Sequence, residues 1–246
     1  MRTRLKSVRS KRPARMTAQK RKQAILEAAS PLMAQAGFQA TSVRDIALAA
    51  GVSEALLYKH FPSKQALFDE ALTAARERTR FTISRFATLR PGTESFVLLA
   101  YATVDFIMFG FPGLRNQEPS TTRLLLQSLL GDGAHARTMF ADTAANWMDY
   151  VVESYQAAIA AGDIVELAIE PAHRFRFVQQ LSMALRLSHL PDPPAFEYRT
   201  DKRRLADQAV LFSLRGVGLT DAAIKNYFRP KQLQAALARL FPEETA

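Results

Sequence analysis

Between Thr41 and Leu67 the chain reads TSVRDIALAAGVSEALLYKHFPSKQAL, two apolar patterns of barely two turns each, split by Ala-Gly-Val-Ser. Helices this short are marginal alone and persist only where neighbours hold them. Ser42 with Asp45 makes a capping box that starts one helix at Val43. Val43, Ile46, Ala47 and Ala50 form one apolar stripe, and Gly51 can take the left-handed conformation that ends it. Ser53 caps the next helix, and Glu54 in its first turn suits the positive end of its dipole. Leu57 and Phe61 point inward one turn apart, and Pro62-Ser63 closes that helix and caps the one after it. Two short helices joined by a glycine-containing turn of three or four residues form a helix-turn-helix. Such a unit presents its second helix to a major groove about 12 Å wide.

The rest of the chain reads as helix as well, so the expected fold class is all-α. Before Thr17 no apolar period appears and Pro13 interrupts a run of charge, so residues 1–16 read as a disordered basic arm. Ile25, Ala28, Ala29, Leu32, Met33 and Ala36 then recur at helical spacing, with Gly37 as a stop and Pro31 predicting a kink. A long pattern runs over 63–89 and would reach roughly 40 Å, enough to join two domains. Further helices fit 94–110, 121–130, 135–161, 171–190, 201–217, 220–227 and 230–240, with breaks at Gly131-Asp132-Gly133, Gly162-Asp163 and Pro191-Asp192-Pro193-Pro194. The expected division is the arm at 1–16, a helix-turn-helix DNA-binding domain at 17–77, and a larger helical domain at 78–246.

Composition narrows the functional classes. With no cysteine there is neither a disulfide nor a thiolate metal site, and His60, His135, His173 and His189 lack metal-ligand spacing. None of the motifs H-E-x-x-H, G-x-x-x-x-G-K-[ST] or G-x-S-x-G occurs, so no catalytic residue, metal or cofactor is expected. The most apolar run, FVLLAYATVDFIMF from Phe96 to Phe109, is too short to span a bilayer and carries Asp105; no membrane is expected, and a cytoplasmic location is. An Arg/Ser-rich, acid-free start also fits an organellar transit peptide. The net charge of +10 is unevenly placed: residues 1–22 hold ten Lys or Arg and no acid, which leaves the remainder formally neutral. Blocks of this kind bind nucleic acid or are merely solvated.

The run T-S-V-R-D-I-A-x-x-A-G-V-S-x-x-x-L-Y-x-H-F-x-x-K-x-x-L resembles the N-terminal domain of the TetR family of bacterial transcriptional regulators. The preceding Ile25–Ala29 and Ala36–Phe38 match that family's first helix, and the specific likeness covers roughly residues 17–75. The resemblance implies that Thr41, Ser42, Arg44, Tyr58, His60 and Lys64 contact DNA phosphates, or bases in the case of Arg44. Hydroxyls and helix N-termini suit phosphate oxygens, though Tyr58 and His60 also fit packing between helices. Glu54, Ala55, Leu56 and Lys59 would read bases from the outward face of the second helix. Leu56 departs from the family's usual small polar residue and can pack on a thymine methyl. Glu54 can accept from cytosine N4 or simply serve its own helix end.

The family's remaining helices form a homodimer and enclose an effector pocket. Segments 171–190 and 201–217 carry wide apolar faces, with Phe175, Val178, Leu181, Leu185, Leu205, Ala209 and Phe212. Ser213, Gly216 and Gly218 would allow close packing, so these two segments suit a four-helix interface or simply their own domain's core. Asp105, Phe106, Phe109, Leu125, Phe140, Trp147 and Met148 are candidate walls of a pocket for an apolar or amphipathic small molecule between 94–110, 121–130 and 135–161. Aromatic and methionine residues at this spacing equally serve as core. The buried carboxylate of Asp105 calls for an arginine such as Arg115 or Arg123, an exposed edge, or a cationic ligand. The expected function is a repressor released from a palindromic double-stranded DNA operator by an effector; the alternative is an effector-independent DNA-binding or chromosome-organising protein of the same fold.

Overall fold

The computed structural model describes residues 17–110 and 118–242, and within its helices some side chains, Trp147 among them, are not described. The expected basic arm, residues 1–16, lies outside the described residues. The chain is all-α: α1 Ala18–Ala40, α2 Val43–Ala49, α3 Glu54–His60, α4 Lys64–Ser84, α5 Thr93–Phe109, α6 Glu118–Leu130, α7 Ala134–Ala160, α8 Pro171–Ser188, α9 Lys202–Gly216, α10 Asp221–Tyr227 and α11 Pro230–Leu240. Among the described residues the one strand-like pairing is an isolated bridge between Ile164 and Leu219.

Two buried clusters organise these helices. The first joins Ile25, Leu26, Ala29 and Met33 of α1 to Ile46, Ala47, Leu57, Phe61 and Leu67, so the short helices are held by the long one before them. Each large side chain so buried contributes roughly 1.5–3 kcal/mol, which offsets the poor intrinsic stability of two-turn helices. The second cluster surrounds α5, a helix apolar on all sides that packs on α7, α8, α9, α10 and α11. The two are joined where α1 packs on α6 and α4 on α7.

Among the helix limits that differ from expectation, two have a clear physical reason. Gly37 does not stop α1, which continues to Ala40; one helical glycine costs only about 1 kcal/mol against alanine. The long helix ends at Ser84 rather than Leu89, and a 3-10 turn follows at Phe86–Thr88. Phe86 and Leu89 keep the apolar phase of the pattern, yet Phe86 turns inward against Phe106 and Phe241, with ring centroids 6.3 and 5.4 Å away. Arg85 fixes the turn by donating to the Leu240 carbonyl at 2.6 Å.

The faces expected to pair two subunits divide otherwise than the sequence suggests. Phe175, Val178, Leu185, Leu205, Ala209 and Ser213 are buried in their own body and Leu181 is half-buried. Gly218 is buried too, at φ 97°, and a Cβ there would stand 2.8 Å from the Val165 carbonyl. Its small size therefore serves the bridge between 164 and 219 within one chain. Phe212 and Gly216 remain exposed, and Phe177 joins them on α8.

Candidate nucleic-acid interface and ligand cleft

Each end of the two short helices is closed by a bond that the sequence encodes. Ser42 Oγ accepts from the Asp45 amide at 3.0 Å and donates to Asp45 Oδ2 at 2.6 Å, which starts α2. At its far end Gly51 sits at φ 64°; its amide donates to Leu48 O and that of Val52 to Ala47 O, a left-handed cap with both bonds formed. Ser53 Oγ accepts from the Leu56 amide at 3.2 Å to start α3, and Ser63 Oγ from the Ala66 amide at 3.0 Å to start α4. Lys22 of α1 pairs with Glu70 of α4 at 2.5 Å and lies over the Phe61 ring, so it belongs to the folded head.

This scaffold leaves one face outward. Ser42, Arg44, Glu54, Ala55 and Lys59 are exposed, Tyr58 is 48% exposed, and Leu56, His60 and Lys64 are half-buried. His60 leans against Phe61 at 6.5 Å, in keeping with a share in packing. Thr41 departs from its expected place: it is 3% exposed and its hydroxyl donates to Leu32 O at 3.2 Å. Its side chain closes α1 onto the entry of α2 instead of facing outward. Leu48, one turn beyond Arg44, is an exposed apolar group that the sequence reading did not single out.

The expected roles divide the outward side chains into base readers and phosphate holders, which makes them testable. Leu56→Ala and Lys59→Ala should change which bases are preferred, by about tenfold at the affected position, while Tyr58→Phe and Lys64→Ala should weaken all duplexes alike. Binding to a set of single-base operator variants measures both; equal losses on every sequence for the first pair would contradict the assigned face.

In the C-terminal body, Asp105 is 3% exposed and accepts from Arg203 of α9 at 2.5 Å. Of the arginines expected beside it, Arg123 is exposed and Arg115 lies outside the described residues. The Arg203 guanidinium stacks on Phe109 at 3.8 Å and approaches the Tyr101 hydroxyl at 3.4 Å. Burial pushes the Tyr101 hydroxyl up to about 12, and it pushes the nearby Asp207 carboxyl upward as well. Phe106 is enclosed by Phe86 and Phe241, Leu125 is buried on α6, and Phe140 is half-buried on α7.

A part-open cleft of about 280 Å³ lies between α5, α7, α8 and the end of α9. Its enclosed part has room for about one water molecule. Phe96, Met148, Val151, Val152, Tyr155, Arg174, Phe175 and Val217 line it. Of the expected wall residues Met148 is here; Asp105, Phe106, Phe109, Leu125 and Phe140 are not, and the Trp147 side chain lies outside the described residues. Arg174 was missed, although an arginine on a buried stripe with Val178, Ser182 and Leu185 was a legible signal.

An all-helical chain whose capped, two-turn helices hold one polar face outward is a helix-turn-helix protein. Residues 25–71 match the family described as bacterial regulatory proteins, tetR family. It is 35% identical over 89 residues to the HTH-type transcriptional repressor KstR2 of Rhodococcus jostii, across 35% of this chain and 44% of that protein. It is 29% identical over 106 residues to the nucleoid occlusion factor SlmA of Haemophilus ducreyi, across 43% of this chain and 49% of that protein. The match thus spans less than half the length of either relative. In fold, the chain resembles a Saccharomonospora viridis protein described as a transcriptional regulator and solved with choline, at TM-score 0.62 and 20% identity over 82% of this chain and 99% of that one.

Proposed function

We propose that this chain is a sequence-specific transcriptional repressor that binds a palindromic DNA operator as a homodimer and leaves it when a small molecule enters the C-terminal body. The observation that carries this reading is the outward face of α3, held rigid by the Ser53 cap and the left-handed turn at Gly51. A reading head for one half-site gains specificity by pairing. The exposed faces of α8 and α9 suit that pairing, since Phe177 is 60% and Phe212 70% exposed on helices that already pack together. The domain division at 17–77 and 78–246 fits the separation of the two buried clusters.

Effector coupling would pass through α6 on α1 and α7 on α4, the two places where the body holds the head. An effector that weakens DNA binding must itself bind the free dimer more tightly than the DNA-bound one, by the same factor. The chain's part is that of a regulator rather than an enzyme, acting in the cytoplasm where the chromosome is reached. Among the described residues no helix is long and apolar enough to cross a membrane.

Selection from a random duplex library should recover a two-fold symmetric site with half-sites about one helical turn apart or a multiple of it. Phe212→Glu should yield a monomer with at least about tenfold weaker operator binding, because the paired contact is lost. Recovery of unrelated or single-stranded sequences would sink the reading, and an unaltered dimer in the variant would remove α9 from the interface. The likeness to SlmA favours a second reading, an effector-independent chromosome-organising protein with the same head. It predicts many genomic sites whose occupancy no small molecule changes.

A further inference from the structure

Arg174, in the first turns of α8, is 5% exposed and lines the cleft. Its Nε donates to Ile169 O at 2.7 Å, Nη2 to Leu167 O at 2.8 Å, and Nη1 to the Tyr155 hydroxyl and, at 3.5 Å, to Val217 O. Every one of these acceptors is neutral. Among the described residues no carboxylate pairs with it; Glu166 and Glu170 flank the two carbonyls it holds, yet both are exposed. A guanidinium has five N–H donors, so among the described residues one hydrogen on Nη2 has no acceptor, and the Nη1 bond to Val217 is long. The Tyr155 hydroxyl accepts from Arg174, which leaves its own proton to give. A cation withdrawn from water without a counter-charge is costly, and the cost is relieved by an anion that reaches it.

The remaining walls are apolar. Phe96, Met148, Val151, Val152, Phe175 and Val217 offer a surface for hydrocarbon beside the charged group. From these observations we propose that the cleft binds a small amphipathic carboxylate, its head on Arg174 and Tyr155 and its apolar body along Met148 and Val152. The inference rests on the reading that the body binds an effector, and it assigns that effector's class. A cation is the wrong charge for this end of the cleft, and the carboxylate at Asp105 is already occupied by Arg203. The chain of the ligand lies toward the open side, because the enclosed part admits only about a water.

Octanoate is a suitable probe, with 1-octanol and octylamine as length-matched controls, titrated into the full chain by calorimetry. Octanoate should bind at least about tenfold more tightly than either control. Arg174→Gln should lose that advantage. Tyr155→Phe, which keeps the ring, should lower octanoate affinity several-fold and leave octanol unchanged, and Met148→Trp should weaken octanoate and octanol together. Arg174 also ties the 167–169 segment to α8, so a poorly folded Arg174→Gln is a possible result; the wild-type comparison of head groups and Tyr155→Phe then decide. Failure of octanoate to bind, equal binding of octanoate and octanol, or full octanoate affinity in a folded Arg174→Gln would each overturn the site. Operator affinity is measured in the same titrations. Octanoate that binds and leaves operator affinity unchanged upholds the site and removes its role as an effector site, whereas release by a different ligand with no octanoate binding removes the site alone.

Discussion

Replacing Arg203 with methionine should cost the protein about 3 kcal/mol of folding stability, the scale found when one partner of a buried ion pair is removed. Asp105 is buried on α5, and Arg203 pairs with it at 2.5 Å. Methionine would fill much of the arginine's volume but remove the guanidinium from the buried carboxylate. Adding Asp105→Leu to Arg203→Met should recover most of the loss, because the buried carboxylate is removed along with its arginine. Urea denaturation of the wild type, both single variants and the double variant gives the coupling directly. A double variant no more stable than Arg203→Met would show that the pair is not coupled.

The pH dependence of stability has a definite sign at the alkaline end. Tyr101 sets that limit in the wild type. Burial holds it up to about 12 against an ordinary 10.0, so stability should fall as the pH rises between these two values, where the unfolded chain ionises first.

Deleting residues 2–15 should weaken operator binding by roughly a hundredfold at about 0.1 M salt and flatten the dependence of log affinity on log salt by about 2–3. The segment contains Arg2, Arg4, Lys6, Arg9, Lys11, Arg12 and Arg15 without one acid. The reading head, in contrast, balances Arg44, Lys59 and Lys64 against Glu27, Asp45 and Glu54 over residues 23–65. Each cation that neutralises a phosphate adds about 0.9 to the slope, so a change of this size corresponds to two or three arm contacts. The preferred sequence should stay the same, since contacts to phosphate carry no base information. An unchanged slope in the shortened chain would assign the arm to solvent.

The head was legible in the sequence because its signals are local. A capping serine, a glycine in the left-handed region and an i, i+4 pair such as Leu57 and Phe61 act within a few residues. The sequence therefore determined α2, α3 and the turn between them, and with them the outward face from Glu54 to Lys59. Thr41 was beyond that reach: its hydroxyl is turned inward by the Leu32 carbonyl, nine residues away on another helix. Likewise the apolar period ran past Ser84 with no break to see, and only the distant Phe241 and the Leu240 carbonyl made Phe86 turn into the core.

The body shows the same limit on a larger scale. Periodicity located its helices and marked α5 as buried on all sides, for apolar spacing is a property of one segment. Which face of α8 or α9 meets which neighbour depends on how whole helices pack, so Val178 and Leu205 went inward while Phe177 and Phe212 stayed outside. The pairing of Asp105 with Arg203 spans 98 residues, and the neutral acceptors around Arg174 come from α7, the 167–169 segment and the end of α9. A buried charge announces by itself only that it needs company. Who supplies it, and whether an opening is left for a ligand, is decided by tertiary packing, because those partners are brought together only by the fold.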